Sequence, residues 1–156
     1  MNMERRTKTL ILTVVFLVFA VAFLWYREQQ PVQASYTTPS PEEVVRLYFT
    51  SWDEKRYADM YSTISDGFKR IEPSAKDLST FRTYVEKQQI AGVKILSLRE
   101  TSHDDTAATV AYTATFQMAD GKTVPFEGTT TLKYRTGDII QGWKLIHPYG
   151  EQVDST

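Results

Sequence analysis

Two strands that alternate polar and apolar residues around a tight turn decide the fold, and they lie in TAATVAYTATFQMADGKTVPFEGTTTLKYR, residues 106–135. Successive side chains of a strand point to opposite faces, so this alternation predicts two strands with one buried face. The ADGK turn carries the Asp-Gly pair typical of hairpins. Gly128 is predicted to mark a bend or bulge. The predicted inner-face residues are Val110, Tyr112, Ala114, Phe116, Met118, Val124, Phe126, Thr130, Leu132 and Tyr134.

Three helices are predicted before this hairpin. The first opens at SPEEVVRLYFTSW, where Ser40 can cap the helix, Pro41 suits its first turn and Glu43 completes a capping box. The second lies in DEKRYADMYSTIS, and the third begins near Ser74, runs through DLSTFRTYVEKQQIAG and has Gly92 near its end. Apolar residues at helical spacing predict the inward set Val44, Leu47, Tyr48, Trp52, Tyr57, Met60, Tyr61, Ile64, Leu78, Phe81, Tyr84 and Val85.

Two further strands complete the predicted sheet, VKILSL from Val93 and GWKLIHP from Gly142. Helices first and strands afterwards predict an α+β domain, with three N-terminal helices packed in a curved antiparallel sheet of about four strands. We expect Trp143, Phe116 and Phe126 on the inner face of that sheet.

A membrane anchor is predicted near the N-terminus, at TLILTVVFLVFAVAFLWY, residues 9–26. Eighteen uncharged residues would span roughly 27 Å as a helix, close to the hydrocarbon thickness of a bilayer. Arg5, Arg6 and Lys8 precede the run and predict a cytoplasmic N-terminus. Two alternatives are a signal peptide cleaved after Ala34 and a buried soluble helix.

The predicted organisation has five parts: a cytoplasmic N-terminus at 1–8, a transmembrane signal anchor at 9–26, a linker at 27–40, one globular domain at 41–150 and a tail at 151–156. The chain has 156 residues, a formal net charge of −1 and no cysteine. Disulfides and a thiol nucleophile are therefore excluded. A domain without excess positive charge is a poor ligand for phosphate backbones, so we expect no nucleic-acid partner.

Four pieces of the chain resemble the non-catalytic N-terminal domain of methicillin-resistance-type penicillin-binding transpeptidases: PEEVVRLYFTSWDEKRYADMYSTIS, FRTYVEKQQIAGVKIL, GKTVPFEGTTTLKY and GWKL. The resemblance implies a nuclear transport factor 2-like fold and a role in cell-wall synthesis and the response to β-lactams. That family continues into a domain with a serine nucleophile. We expect no transpeptidase activity from these 156 residues.

A second resemblance concerns architecture alone. Inner-membrane assembly components of type IV secretion and conjugation systems also combine one membrane helix with a nuclear transport factor 2-like domain. Architecture does not transfer function, so this remains the alternative. Because small ketosteroid-isomerase-like and polyketide-cyclase-like enzymes resemble the same cone-shaped fold, an enzyme is a second alternative.

Candidate chemistry is sparse, and we predict no catalytic, cofactor-binding or metal-binding residue. His103 in TSHDDT is interpreted as part of a solvated turn, with Asp104 and Asp105 too few to form a calcium loop. His147 shares a strand face with Trp143, but a base also needs an oxyanion donor, so we interpret it as a polar residue at a strand end. The residues predicted to line a pocket or core are Tyr48, Trp52, Tyr61, Tyr112, Phe116, Phe126, Trp143 and His147.

The expected protein is thus a single-pass, extracytoplasmic, non-enzymatic binding or scaffold domain of the bacterial cell membrane. Its expected partners are the membrane, through the N-terminal helix, and an envelope protein such as a cell-wall transpeptidase, with a homodimer as a further alternative. A threonine-rich outer strand face is one candidate docking surface, although β-branched residues also simply favour strands. Its residues are Thr109, Thr113, Thr115, Thr129 and Thr131.

Overall fold

The computed structural model describes residues 38–149. Their helices are α1 (Pro41–Asp53), α2 (Tyr57–Ser62), α3 (Asp66–Ile71) and α4 (Leu78–Lys87), with a 3-10 turn at Pro73–Ala75. The strands are β1 (Ile90–His103), β2 (Ala107–Met118), β3 (Thr123–Arg135) and β4 (Gly142–Leu145). Within residues 38–149, no helix is long and apolar enough to cross a bilayer. The predicted anchor, the cleavage alternative, most of the linker and the tail lie outside these residues.

Helix α1 begins with the predicted capping box. Ser40 Oγ accepts a hydrogen bond from the backbone N–H of Glu43 at 3.3 Å, and Glu43 Oε2 accepts from the backbone N–H of Ser40 at 2.7 Å. These bonds satisfy two donors that a helix start leaves unpaired. The buried stripe is wider than predicted, because Val45 and Phe49 are buried beside Val44 and Tyr48.

The third predicted helix needs three corrections. It begins at Leu78 and not near Ser74, which lies in the 3-10 turn. Its C-terminal end is Lys87, and Gly92 lies inside β1 instead of near the helix end. The chain reverses at Gln89, whose φ of +56° ends the helical path before Ile90 begins the strand. Leu78, predicted to face inward, is 41% exposed at the first turn of α4. The short helix α3 is absent from the predicted set, since six residues give too little periodicity.

The four strands form one antiparallel sheet, as predicted, and their order in the sheet is β1-β2-β3-β4. Strand β1 is longer than expected and includes His103, which is predicted to lie in a turn. The bulge predicted at Gly128 is also wrong, because the register of β2 and β3 is continuous there. Gly128 instead makes room for Tyr112: a Cβ at this position would lie 2.9 Å from the tyrosine oxygen.

The helices cover the inner face of the sheet and form the core with it. The expectation for Trp143 is confirmed, since it is 8% exposed. Phe126 lies on the predicted face but is 47% exposed. Residues that are fully or almost fully buried include Met60, Ile64, Phe81, Val110, Ala114, Leu132 and Leu145.

Polar groups from the helical region close both edges of the sheet. On β1, the backbone N–H of Val93 donates to Asp53 Oδ1 at 2.8 Å, and that of Glu100 donates to Glu42 Oε1 at 2.7 Å. On β4, the Leu145 N–H donates to the Thr63 carbonyl at 2.9 Å. Exposed strand edges otherwise recruit other strands, so these bonds protect the sheet.

The sheet has two ends, which we name by their landmarks. The hairpin end carries the β2–β3 turn and the C-terminus of α1, because Asp53 bonds to Val93 there. The Thr38 end carries the β1–β2 turn and the loop 136–141, since Thr38 Cγ2 lies 3.2 Å from the position of a Cβ on Gly142.

Candidate functional site

An aromatic cavity of about 180 Å³ opens between the helices and the inner sheet face, toward the hairpin end. Helix α1 contributes Tyr48, Phe49 and Trp52, because these residues share the side of the helix that faces the sheet. The sheet contributes Tyr112, Phe116 and Phe126 from neighbouring strands. The remaining walls come from Tyr84, Val85, Gln88, Pro148 and Tyr149.

Ring contacts hold the sheet side of this cavity together. The ring centroids of Phe49 and Tyr112 are 4.9 Å apart, and those of Trp52 and Phe116 are 5.5 Å apart. Phe126 stacks on Tyr112 at 6.0 Å with an interplanar angle of 24°. Aromatic pairs at these separations add packing energy beyond their buried area, so these contacts stabilise the wall.

The opposite wall is built around Tyr149. Its ring centroid lies 4.6 Å from that of Tyr84 and 5.3 Å from that of Phe68. Its hydroxyl oxygen accepts a hydrogen bond from Ser74 Oγ at 3.2 Å. Burial is the main reason that the pKa of Tyr149 rises to about 12. Sequence reasoning misses this residue because it follows the last strand and belongs to no periodic pattern.

Electrostatically, the cavity is neutral. Among the described residues that line it, none is Asp, Glu, Lys or Arg. Burial also raises the pKa values of Tyr48 and Tyr112, so their hydroxyl groups stay protonated at neutral pH. Such a lining favours an uncharged apolar group over an ion.

His147 lies outside this cavity and lines a smaller one of about 10 Å³ with Tyr48, Tyr112 and Thr130. Its imidazole ring stands nearly perpendicular to the ring of Phe68, with centroids 6.4 Å apart. The hydroxyl group of Thr130 is buried and has no hydrogen-bond partner among residues 38–149. The small cavity is close to the minimum that admits one water molecule.

The predicted pocket residues therefore divide into three groups. Tyr48, Trp52, Tyr112, Phe116 and Phe126 line the aromatic cavity, and His147 lines the smaller one. Tyr61 and Trp143 appear in neither lining. The Tyr61 hydroxyl donates to the Ala75 carbonyl at 2.9 Å, while Trp143 packs against Tyr134.

In the candidate cation site at TSHDDT, the acidic and histidine side chains form hydrogen bonds within the turn and with β1. Asp104 Oδ1 accepts hydrogen bonds from the backbone N–H groups of Thr106 at 2.7 Å and Ala107 at 2.9 Å. His103 Nδ1 lies 2.9 Å from Glu100 Oε1. Within the described part of the chain, no group of three acidic or histidine side chains is arranged to hold a metal ion.

The arrangement defines an α+β domain in which a four-stranded antiparallel sheet and its helices border an uncharged aromatic cavity. The sequence model of the NTF2-like N-terminal transpeptidase domain matches residues 40–149, and the chain belongs to this family. Penicillin-binding protein 3 of Bacillus subtilis (strain 168) is 26% identical over 113 residues, which cover 69% of this chain and 16% of that protein. The match thus spans about a sixth of the relative.

Two solved structures are similar in outline. An NTF2-like protein of unknown function from Exiguobacterium sp. 255-15 is 16% identical, with a TM-score of 0.42 over 66% of this chain and 96% of that one. A candidate polyketide cyclase of Pseudomonas putida KT2440 is 13% identical, with a TM-score of 0.45 over 74% of this chain and 97% of that one. Likenesses at this level assign no function.

Proposed function

We propose that the chain is a membrane-anchored, extracytoplasmic, non-catalytic binding or scaffold domain of the bacterial envelope that works with a cell-wall transpeptidase. The observation that carries the proposal is the family match across residues 40–149, together with the relative, which is a penicillin-binding protein. A contribution to cell-wall synthesis and to the β-lactam response follows from such a partner. The family match also favours this interpretation over a secretion-system component.

The chemistry of the cavity supports a binding role. General acid–base catalysis needs a positioned base and a donor at the oxygen where negative charge develops. His147 lines the cavity of about 10 Å³, in which a substrate does not fit. The cavity of about 180 Å³ is lined by aromatic and apolar side chains together with Gln88.

The anchor and its orientation are supported by the sequence alone. Residues 9–26 are uncharged, and Arg5, Arg6 and Lys8 lie on one side of them. The positive-inside rule then places the domain outside the cytoplasm.

Protease treatment of intact protoplasts tests this topology. We expect the domain to be digested while an N-terminal stub stays in the membrane. Protection of the C-terminus would reverse the orientation. A mature N-terminus at Ser35, measured by mass spectrometry, would replace the anchor with a cleaved signal peptide.

Two matched sets of variants separate a scaffold from an enzyme. We expect His147→Ala to complement a deletion strain, whereas loss of a general base reduces turnover by about 10²- to 10⁴-fold.

Thr113→Glu and Thr129→Glu, on the outer strand face, should reduce recovery of a crosslinked transpeptidase. The control is Thr83→Glu, on an exposed turn of α4. A folded His147→Ala protein without function would contradict the scaffold proposal.

A further inference from the structure

Two neighbouring isoleucines on the loop 136–141 have side chains exposed to solvent. Ile139 is 93% exposed and Ile140 is 57% exposed. Isolated apolar side chains on a surface are common, but two large ones at a loop tip form a small apolar projection.

Hydrogen bonds at Asp138 and Ile139 fix this loop to the first residue of α3. The backbone N–H of Ile139 donates to Asp66 Oδ2 at 2.8 Å, and the backbone N–H of Asp66 donates to Asp138 Oδ2 at 2.9 Å. Arg135 Nε donates to Asp138 Oδ1 at 3.3 Å. The Asp138 side chain is 3% exposed. These bonds hold the backbone of the loop against the start of α3, while the side chains of Ile139 and Ile140 remain exposed.

The loop lies at the Thr38 end of the domain, where the described residues begin. Gly142 directly follows the loop, and Thr38 Cγ2 lies 3.2 Å from where a Cβ on Gly142 would be. Residues 27–37 separate Thr38 from the apolar run 9–26, and eleven residues reach at most about 40 Å when extended. The isoleucine pair is therefore on the end of the domain that the proposed anchor tethers.

We propose that Ile139 and Ile140 insert into the outer surface of the membrane and orient the domain with its Thr38 end toward the lipid. This inference rests on the proposed anchor. The aromatic cavity, near the hairpin end, then opens away from the membrane toward the cell wall.

The charges around the loop indicate whether it contacts lipid through apolar side chains or through attraction to anionic headgroups. Arg135 and Lys69 are paired with Asp138 and Asp66. The neighbouring β1–β2 turn carries the exposed residue Asp105. Exposed residues near the loop thus carry both signs of charge, Asp105 on this turn and Arg70 at the end of α3, so the contact with lipid is apolar and neutral lipid is sufficient.

Site-specific labelling of the 156-residue chain tests the insertion. The chain has no cysteine, so Ile139→Cys accepts a single environment-sensitive fluorophore. In phosphatidylcholine vesicles we expect its emission to shift to shorter wavelength and to be quenched by spin-labelled lipid. Leu96→Cys and Lys122→Cys are controls; Leu96 is 57% exposed on β1, and Lys122 lies in the hairpin turn.

A second measurement uses label at Gln141→Cys in chains with and without Ile139→Ser and Ile140→Ser. The serine pair should abolish the spectral shift, while Leu96→Ser should leave it unchanged. Since both isoleucines are exposed, the thermal midpoint of the serine variant should match that of the parent.

The outcomes distinguish this inference from the proposed function. If the chain floats with vesicles but the label at residue 139 remains as water-exposed as that at 122, the insertion is wrong and the anchor stands. If the chain does not float, both are wrong. A shift that occurs only in native membranes, and not in pure lipid, would assign the isoleucines to a protein partner and overturn insertion into lipid.

Discussion

Strand β3 carries the same sequence pattern in both halves but is buried in only one of them. Leu132 and Phe126 lie six residues apart on the same face, and they are 0% and 47% exposed. Leu132 pairs with Leu145 and lies beneath the helices, whereas Phe126 forms the rim of the aromatic cavity. Alternation therefore identifies a face of a strand, but the coverage of that face determines whether it becomes core or binding surface.

Truncation at the two positions should give the largest contrast. Leu132→Ala removes a fully buried side chain and should destabilise the domain by about 2–5 kcal/mol. Phe126→Ala loses a half-exposed ring and should cost about 1 kcal/mol. Urea unfolding of both variants measures the difference. Equal losses would show that the hairpin end is packed as tightly as the Thr38 end.

Gly128 lies between the two halves, so a substitution there should affect the cavity as well as stability. A Cβ would approach the Tyr112 oxygen to 2.9 Å and Cζ to 3.1 Å. We expect Gly128→Ala to cost about 1–3 kcal/mol in urea unfolding, because a side chain forced into a packed region displaces its neighbours.

The matched control is the double variant Gly128→Ala with Tyr112→Phe. Removing the hydroxyl group eliminates the closest contact, so part of the lost stability should return. If the double variant is no more stable than Gly128→Ala alone, the contact with Tyr112 is not the cause.

The smallest expected effect is the pH dependence of stability. It should arise at the Thr38 end, from Asp66, because no acidic or basic residue lines the aromatic cavity among the described residues. The hydrogen bond from Ile139 N–H, followed by that from Lys69, lowers the pKa of Asp66. A lowered folded-state pKa stabilises the domain above the ordinary Asp range and loses that effect as pH falls through the folded value. Asp66→Asn should thus cost below about 1 kcal/mol at pH 7.

The difference between the Asp66→Asn variant and the parent should shrink in acid. Once the Asp66 carboxyl group is protonated, both proteins carry a neutral side chain at position 66, so their stabilities should converge. Thermal midpoints measured from neutral pH down through the ordinary Asp range check this. A constant difference over that range would exclude the charge of Asp66 as its cause.

Much of the fold can be predicted because its signals are local. The capping box of α1 depends on Ser40 and Glu43 alone, and the hairpin depends on strict alternation around Asp-Gly. The errors arise where local signals are weak or misleading. Helix α3 is too short to show a helical period. Gly92 is a residue type typical of helix ends, but the chain leaves the helix earlier, at Gln89.

The candidate site is predictable in part. Tyr48, Trp52, Tyr112, Phe116 and Phe126 can be identified because each belongs to a periodic helix or strand. Phe49 has a usable signal, since Val44, Val45, Tyr48, Phe49 and Trp52 form one wide apolar stripe on α1. Tyr149 has none, because its position depends on contacts with Tyr84 and Phe68 from distant parts of the chain.

The sequence by itself determined that helices precede strands, the pairing of the central hairpin and the inner faces of β2 and β3. These features follow from steric and hydrogen-bonding preferences of neighbouring residues. Only the tertiary structure decided that Leu132 is core while Phe126 borders a cavity, that Gly128 accommodates Tyr112, and that Ile139 points into solvent. Burial depends on which elements meet in space, and those contacts join residues that no local pattern relates.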